Sequence, residues 1–155
     1  MNVHARRLPT RHNAAMDLTD AAIESILTSY RTWAVIGCSP NADRDSYQVA
    51  AFLQDAGYRV IPINPQADEA LGERCYPSLG DVPAGSGVEV VNIFRRSEDA
   101  GRHVDEAIAI GAKAVWMQRG VIDEAAGQRA RDAGLEVVMD RSARTELKRR
   151  RADAG

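Results

Sequence analysis

A chain of 155 residues is the length of one domain, and its 20 basic and 22 acidic side chains leave a formal charge of −2 at pH 7. That balance argues against nucleic acid or an anionic membrane as the main partner, so any attraction for phosphate has to be local. Two cysteines, Cys38 and Cys75, fit neither a secreted disulfide framework nor a paired metal motif, and no apolar run approaches the roughly 18 residues of a membrane span. Both cysteines read as reduced thiols of a cytoplasmic protein.

Residues 1–16 hold His4, Arg6, Arg7, Arg11 and His12 with no acid before Asp17. They read as a basic, disordered tail, with an organellar transit peptide as the sharper alternative. Residues 17–150 read as a single domain, and residues 151–155 as a disordered end. Thr19 or Asp20 is placed to cap a helix whose apolar face is Ala21, Ala22, Ile23, Ile26, Leu27 and Tyr30.

The stretch Thr32 to Ser46, TWAVIGCSPNADRDS, follows. Trp33 to Ile36 predicts a buried strand, Gly37 to Asn41 a turn with little side-chain bulk, and Asp45-Ser46 the cap of the next helix. Val49, Ala50, Phe52, Leu53 and Ala56 repeat at helical spacing up to Gly57, a stop before a second strand, Tyr58 to Ile63. Gln66 to Pro83 predicts an irregular binding loop with at most a turn or two of helix.

Val88 to Phe94 reads as a third strand, and Ser97-Glu98-Asp99 opens a helix that ends at Gly111. Ala114 to Met117 is a fourth strand, Asp123 to Ala133 a helix, Leu135 to Met139 a fifth strand, and Arg144 to Arg151 a basic surface helix. Five short apolar strands alternating with helices predict an α/β, Rossmann-like, doubly wound and mainly parallel five-stranded sheet with helices on both faces. Ligands of such sheets bind beyond the carboxyl ends of the strands, which puts the loops after Ile36, Ile63, Phe94 and Met117 on one rim.

The rim's chemistry is that of binding. Only Gly37 of a G-x-G-x-x-G pattern is present, with Ser39 and Ala42 at the other two positions. Asn64-Pro65 stands where a nicotinamide-nucleotide site needs an acid for the ribose hydroxyls, which disfavours NAD. Arg44, Ser46 and free helix amides can converge on one phosphate. Phe94-Arg95-Arg96 offers stacking and a second anion contact, although one arginine can pair with Glu98 or Asp99. Gln118, before Arg119 and Gly120, can read a base edge or a pantetheine amide, whereas Trp116 reads as core. There is no H-E-x-x-H, G-x-S-x-G, Walker lysine loop, C-x-x-C or paired-carboxylate motif. His103 reads as a surface or satisfied residue, and Cys38 is the one plausible nucleophile, without a visible partner.

These motifs carry a resemblance. From about Thr19 to Glu146 the sequence resembles the small stand-alone CoA-binding proteins of the bacterial YccU type. Their domain is related to the N-terminal domain of the succinyl-CoA synthetase α subunit. The likeness rests on Ala34 to Pro40, Arg44-Asp45-Ser46-Tyr47, Gly57 to Pro65, Phe94-Arg95-Arg96, Trp116 to Gly120 and Val138-Met139-Asp140-Arg141. Family members often continue Asp-Arg-Cys and then Glu-His, where this chain has Asp140-Arg141-Ser142 and Glu146-Leu147.

The resemblance implies that coenzyme A (CoA) or an acyl-CoA lies over the first loop, with Gly37, Ser39, Arg44 and Ser46 near phosphate. Asn64 and Pro65 would stand beside the nucleotide, and Phe94, Arg95, Gln118 and Gly120 would line the remaining cleft. Cys38, Pro40 and Arg96 complete the candidate set. The expected function is binding of CoA or acyl-CoA without catalysis by the chain itself. The alternative is an NAD(P)-dependent oxidoreductase or redox-sensing nucleotide-binding protein. A homodimer, or docking of the basic C-terminal helix onto an acyl-CoA enzyme, is the expected form of any protein partnership.

Overall fold

The computed structural model describes residues 11–154, and the side chains of residues 18–153. Helix α1 (Arg11–Ser29) leads into β1 (Thr32–Ile36), α2 (Asp45–Asp55) and β2 (Arg59–Ile63). A small hairpin, β3 (Glu69–Ala70) and β4 (Glu73–Arg74), and a 3-10 turn (Leu79–Asp81) precede β5 (Val90–Ile93). The chain then runs through α3 (Ser97–Ala109), β6 (Ala114–Met117), α4 (Glu124–Asp132), β7 (Glu136–Val138) and α5 (Ala143–Ala154).

Five strands make one parallel sheet in the order β2-β1-β5-β6-β7. This is the α/β, Rossmann-like arrangement that the alternating pattern predicts. Because side chains alternate along a strand, each strand feeds two cores. Trp33, Val35, Val90, Trp116 and Val138 face α1, α2 and α5. Ala34, Ile36, Val91, Ile93, Val115 and Met117 face α3, α4 and Leu79 of the 3-10 turn. At the centre of the first core the Trp33 and Trp116 rings lie 5.6 Å apart, and Tyr58 meets Trp33 edge-on at 5.8 Å.

The chain leaves β1 on one side for β2 and returns on the other for β5, so the order reverses between β1 and β5. A crevice opens there at the carboxyl ends of the strands. Gly57 shows how a helix is made to stop beside it. With φ at +94°, it takes the left-handed conformation after α2 that a side chain would resist.

Several boundaries differ from the sequence reading. The helix expected to start after Thr19 or Asp20 begins at Arg11, since Ala14, Ala15 and Met16 are strong helix formers and no proline lies between Pro9 and Pro40. The basic tail expected over residues 1–16 therefore lies outside the described residues as far as residue 10 and continues as the first turns of α1. At the other end α5 runs to Ala154, past the boundary set at residue 150.

The loop expected to be irregular over Gln66 to Pro83 contains a hairpin. Its turn places Leu71 at φ +57° and Gly72 at φ +74°, and a leucine is an uncommon choice for that conformation. Helix α5 uses its basic residues within the chain. Arg144, Lys148 and Arg151 lie 6.0, 5.9 and 5.8 Å from the centre of the Phe52 ring, and Arg150 pairs with Glu24 at 2.8 Å.

Candidate functional site

The first loop is built by its own hydrogen bonds. The Gly37 amide donates to the Ile63 carbonyl (2.8 Å) and the Phe94 amide to the Ile36 carbonyl (3.0 Å), which ties three strand ends together. Gly37 has φ +81°, and a Cβ there would collide with the Phe94 carbonyl oxygen and come within 3.3 Å of an Arg95 guanidinium nitrogen. The glycine is needed for the close approach of the loop after β5.

Beyond Gly37, the Ser39 amide donates to Ser46 Oγ (3.0 Å), the Asn41 amide to Ser39 Oγ (3.0 Å) and the Asp43 amide to Asn41 Oδ1 (2.9 Å). From β2, Asn64 Nδ2 donates to the Cys38 carbonyl (3.0 Å), while Asn64 Oδ1 accepts from the Gln66 amide (2.9 Å). Ser46 is thus a buried strut of the loop in the first turn of α2, 7 % exposed, and is not the helix cap that the sequence suggested. The cap position belongs to Arg44, extended at φ −84° and ψ 144°, with no side-chain cap hydrogen bond among the described residues. The positive end of α2 and an exposed guanidinium therefore stand side by side.

Two clefts adjoin this loop. The first, of about 610 Å³, is lined by Gly37, Ser39, Pro40, Arg44, Ser46, Asn64 and Pro65, with Phe94 and Arg95 across from them. Asp45, Gln66 and Ala67 also line it and were missed, although each adjoins a residue the sequence reading chose. The second, of about 500 Å³, gathers Phe94, Arg95, Arg96, Gln118 and Gly120, together with Asp45, Asp99, Arg119 and Val121. The clefts share Asp45, Phe94 and Arg95, and both volumes lie within the roughly 300–1,000 Å³ usual for ligand sites.

Cys38 is the candidate that the structure removes from the rim. Its side chain is 0 % exposed, lines neither cleft and packs in the core with Cys75. Burial, with a smaller contribution from Cys75, pushes its thiol up to about 12, so it is a poor nucleophile at neutral pH.

Arg96 is exposed and already paired, 3.2 Å from Glu98 and 3.3 Å from Asp99, whereas Arg95 has no ion pair among the described residues. Gly120 is pinned rather than free, because its amide donates to Asp140 Oδ1 (2.7 Å) and its carbonyl accepts from the Ser97 hydroxyl (3.2 Å). His103 is buried behind the rim with Nδ1 2.9 Å from Glu106, and burial pushes its pKa below the usual imidazole value.

Gln118 differs from all of these. It is 2 % exposed, and neither its Nε2 nor its Oε1 meets a partner among the described residues. An unsatisfied buried polar group costs about 1–3 kcal/mol.

Comparisons with known proteins give the family. Residues 31–148 match the model of a family described as a CoA binding domain. The chain belongs to that family. The uncharacterized protein YneT of Bacillus subtilis (strain 168) is 39% identical over 120 residues, which are 77% of this chain and 87% of that one. A solved structure of a hypothetical protein from Pyrococcus horikoshii OT3 superposes with a TM-score of 0.79 at 40% identity, covering 84% of this chain and 91% of that one. A dinucleotide-forming acetyl-coenzyme A synthetase 1 of Ca. Korarchaeum cryptofilum contains a similar region. It is 28% identical with a TM-score of 0.63, and the match covers 73% of this chain but only 26% of that enzyme. In this CoA binding domain the family match spans both clefts and every strand of the parallel sheet.

Proposed function

We propose that the chain binds CoA or an acyl-CoA along the two clefts and performs no chemistry on it. The observation that carries this reading is the first cleft, where Arg44 stands beside the uncapped start of α2 in a member of the CoA binding domain family. A phosphate there gains charge-assisted hydrogen bonds from the guanidinium and the helix amides. Pro40 and Pro65 offer apolar surface for the base at the outer end of the same cleft, and Arg95 offers a second cation where the clefts meet. The residues present fit such a ligand. No helix among the described residues is long and apolar enough to cross a membrane, which is compatible with the cytoplasmic setting proposed for a CoA carrier.

Titration calorimetry on ligand-stripped protein with CoA, dephospho-CoA and NAD tests the reading. CoA is expected to bind most tightly. A protein that ignores CoA and binds NAD tightly would instead be the NAD(P)-dependent enzyme or redox sensor, which the missing acid at Asn64 argues against.

A further inference from the structure

We infer that the face shared by α2 and α5 is a docking surface for an acidic polypeptide, recognised by a row of cations that the chain itself does not neutralise. Arg144, Lys148 and Arg151 of α5 stand four and three residues apart, so they share one side of the helix over about 10 Å. All three reach the Phe52 ring of α2, within 6.0 Å of its centre.

The ring attracts these charges without cancelling them, because its quadrupole carries no net charge. None of the three makes an ion pair among the described residues. Their neighbours on the same helix do: Arg150 pairs with Glu24 at 2.8 Å and Arg149 with Glu146 at 3.6 Å. Arg144 donates instead to the neutral Gln48 amide, 3.4 Å from Oε1. A fourth cation adjoins the Arg151 end of the row. Arg31 lies 4.8 Å from the centre of the Tyr58 ring, and while burial raises the Tyr58 pKa, Arg31 and Arg151 both pull it down. Like charges at these helical spacings repel, so a chain with a formal charge of −2 keeps a concentrated positive row unrelieved.

Charge complementarity selects the occupant. Lys148 and Arg151 are exposed, and Arg144 and Phe52 are half-buried. Carboxylates four and three residues apart on one face of a partner helix match the row in length and spacing. A bilayer would need an apolar anchor beside the cations, and the large apolar side chains exposed among the described residues, Leu18, Ile110 and Ile122, lie outside α2 and α5. A nucleic acid duplex presents phosphates over a far wider front than one row of cations, against a chain of net negative charge.

Fluorescence anisotropy with two labelled helical peptides of equal charge tests the assignment. One carries glutamates at positions i, i+4 and i+7, and the other carries the same number spread round the helix. The first is expected to bind the full chain at low salt, to weaken as salt rises, and to bind several-fold tighter than the second. Lys148→Gln and Arg151→Gln should each weaken it about threefold, and together about tenfold. Both side chains are exposed on a helix surface, so the variants should melt within about 3 °C of the wild type.

Absence of saturable binding of the first peptide, equal affinity for the two peptides, or undiminished affinity in the double variant overturns the inference. A larger fall in melting temperature with unchanged peptide affinity also overturns it, since the cations would then serve to brace α5 against α2. Tighter binding of a DNA duplex or of phosphatidylserine vesicles than of the first peptide would give the face a different partner and defeat the assignment. CoA binding should be the same in the double variant as in the wild type. Its loss would assign the row to the clefts and overturn the inference as well.

Discussion

The loop after β1 and the loop after β6 face each other across one crevice and treat their polar groups in opposite ways. In the first, Ser39, Ser46 and Asn41, braced by Asn64 from the end of β2, are engaged with backbone groups, and the cation Arg44 is exposed. In the second, Gly120 is fixed by Asp140 and Ser97 while Gln118 is buried without a partner. A site that presents charge can be rigid and fully satisfied before the ligand arrives. The second loop keeps an unmet hydrogen-bonding need inside the protein. The difference predicts that removing a hydrogen-bonded side chain of the first loop lowers stability, whereas removing Gln118 raises it.

The largest effect is expected at Gly37. Gly37→Ala combines a positive φ with a collision against the Phe94 carbonyl, and urea unfolding should show a loss of about 3 kcal/mol. A loss below about 0.5 kcal/mol would show that the loops after β1 and β5 are not in register as described.

Next comes the response to alkali, through Cys38. Its folded-state pKa of about 12 exceeds the ordinary value of 9.0, so above pH 9 the unfolded chain releases a proton that the native thiol keeps. Stability from this group is fully present below pH 9 and declines as pH rises through 9 toward 12. Cys38→Ala should flatten that decline in unfolding curves taken between pH 8 and 11. In the folded wild type, Cys38 should resist alkylation until the chain opens.

Arg44→Ala separates binding from folding. The side chain is exposed and caps nothing, so stability should change by no more than about 0.5 kcal/mol, whereas CoA affinity should fall about tenfold with a weaker dependence on salt. Unchanged affinity by calorimetry would move the phosphate site away from α2. The smallest effect belongs to Ser46→Ala, which leaves the Ser39 amide without its acceptor at a cost of about 1 kcal/mol. If Ser46 is a strut, binding should weaken only as far as the loop loosens, and Ser46→Thr should restore it.

All five parallel strands were legible because each is a short apolar run, rich in β-branched or aromatic residues in β1, β2 and β5, and bounded by glycine, proline or polar residues. Their number and alternation with helices imply the architecture. The hairpin at Glu69 to Arg74 was hidden because its strands are two residues long and its turn places a leucine where glycine or asparagine is expected. On the rim, residue types announced where the clefts lie but not how each side chain is used. Ser46 and Asn64 look the same in a sequence whether they bind a ligand or brace a loop, and three-dimensional partners decide it. Cys38 lies in the binding loop by position and in the core by the direction of its side chain, a distinction set by the turn at Gly37. Burial of Gln118 beneath the rim is a product of tertiary packing, which no local pattern encodes.

The two tryptophans that meet at the centre of the sheet are the only two in the chain. Their emission is therefore a built-in optical gauge. Rings in a shared apolar environment should fluoresce at short wavelength and shift to the red together when the core is exposed. Because Trp116 stands two residues before Gln118, intensity changes without a wavelength shift should report occupancy of the second cleft, and a shift should report unfolding.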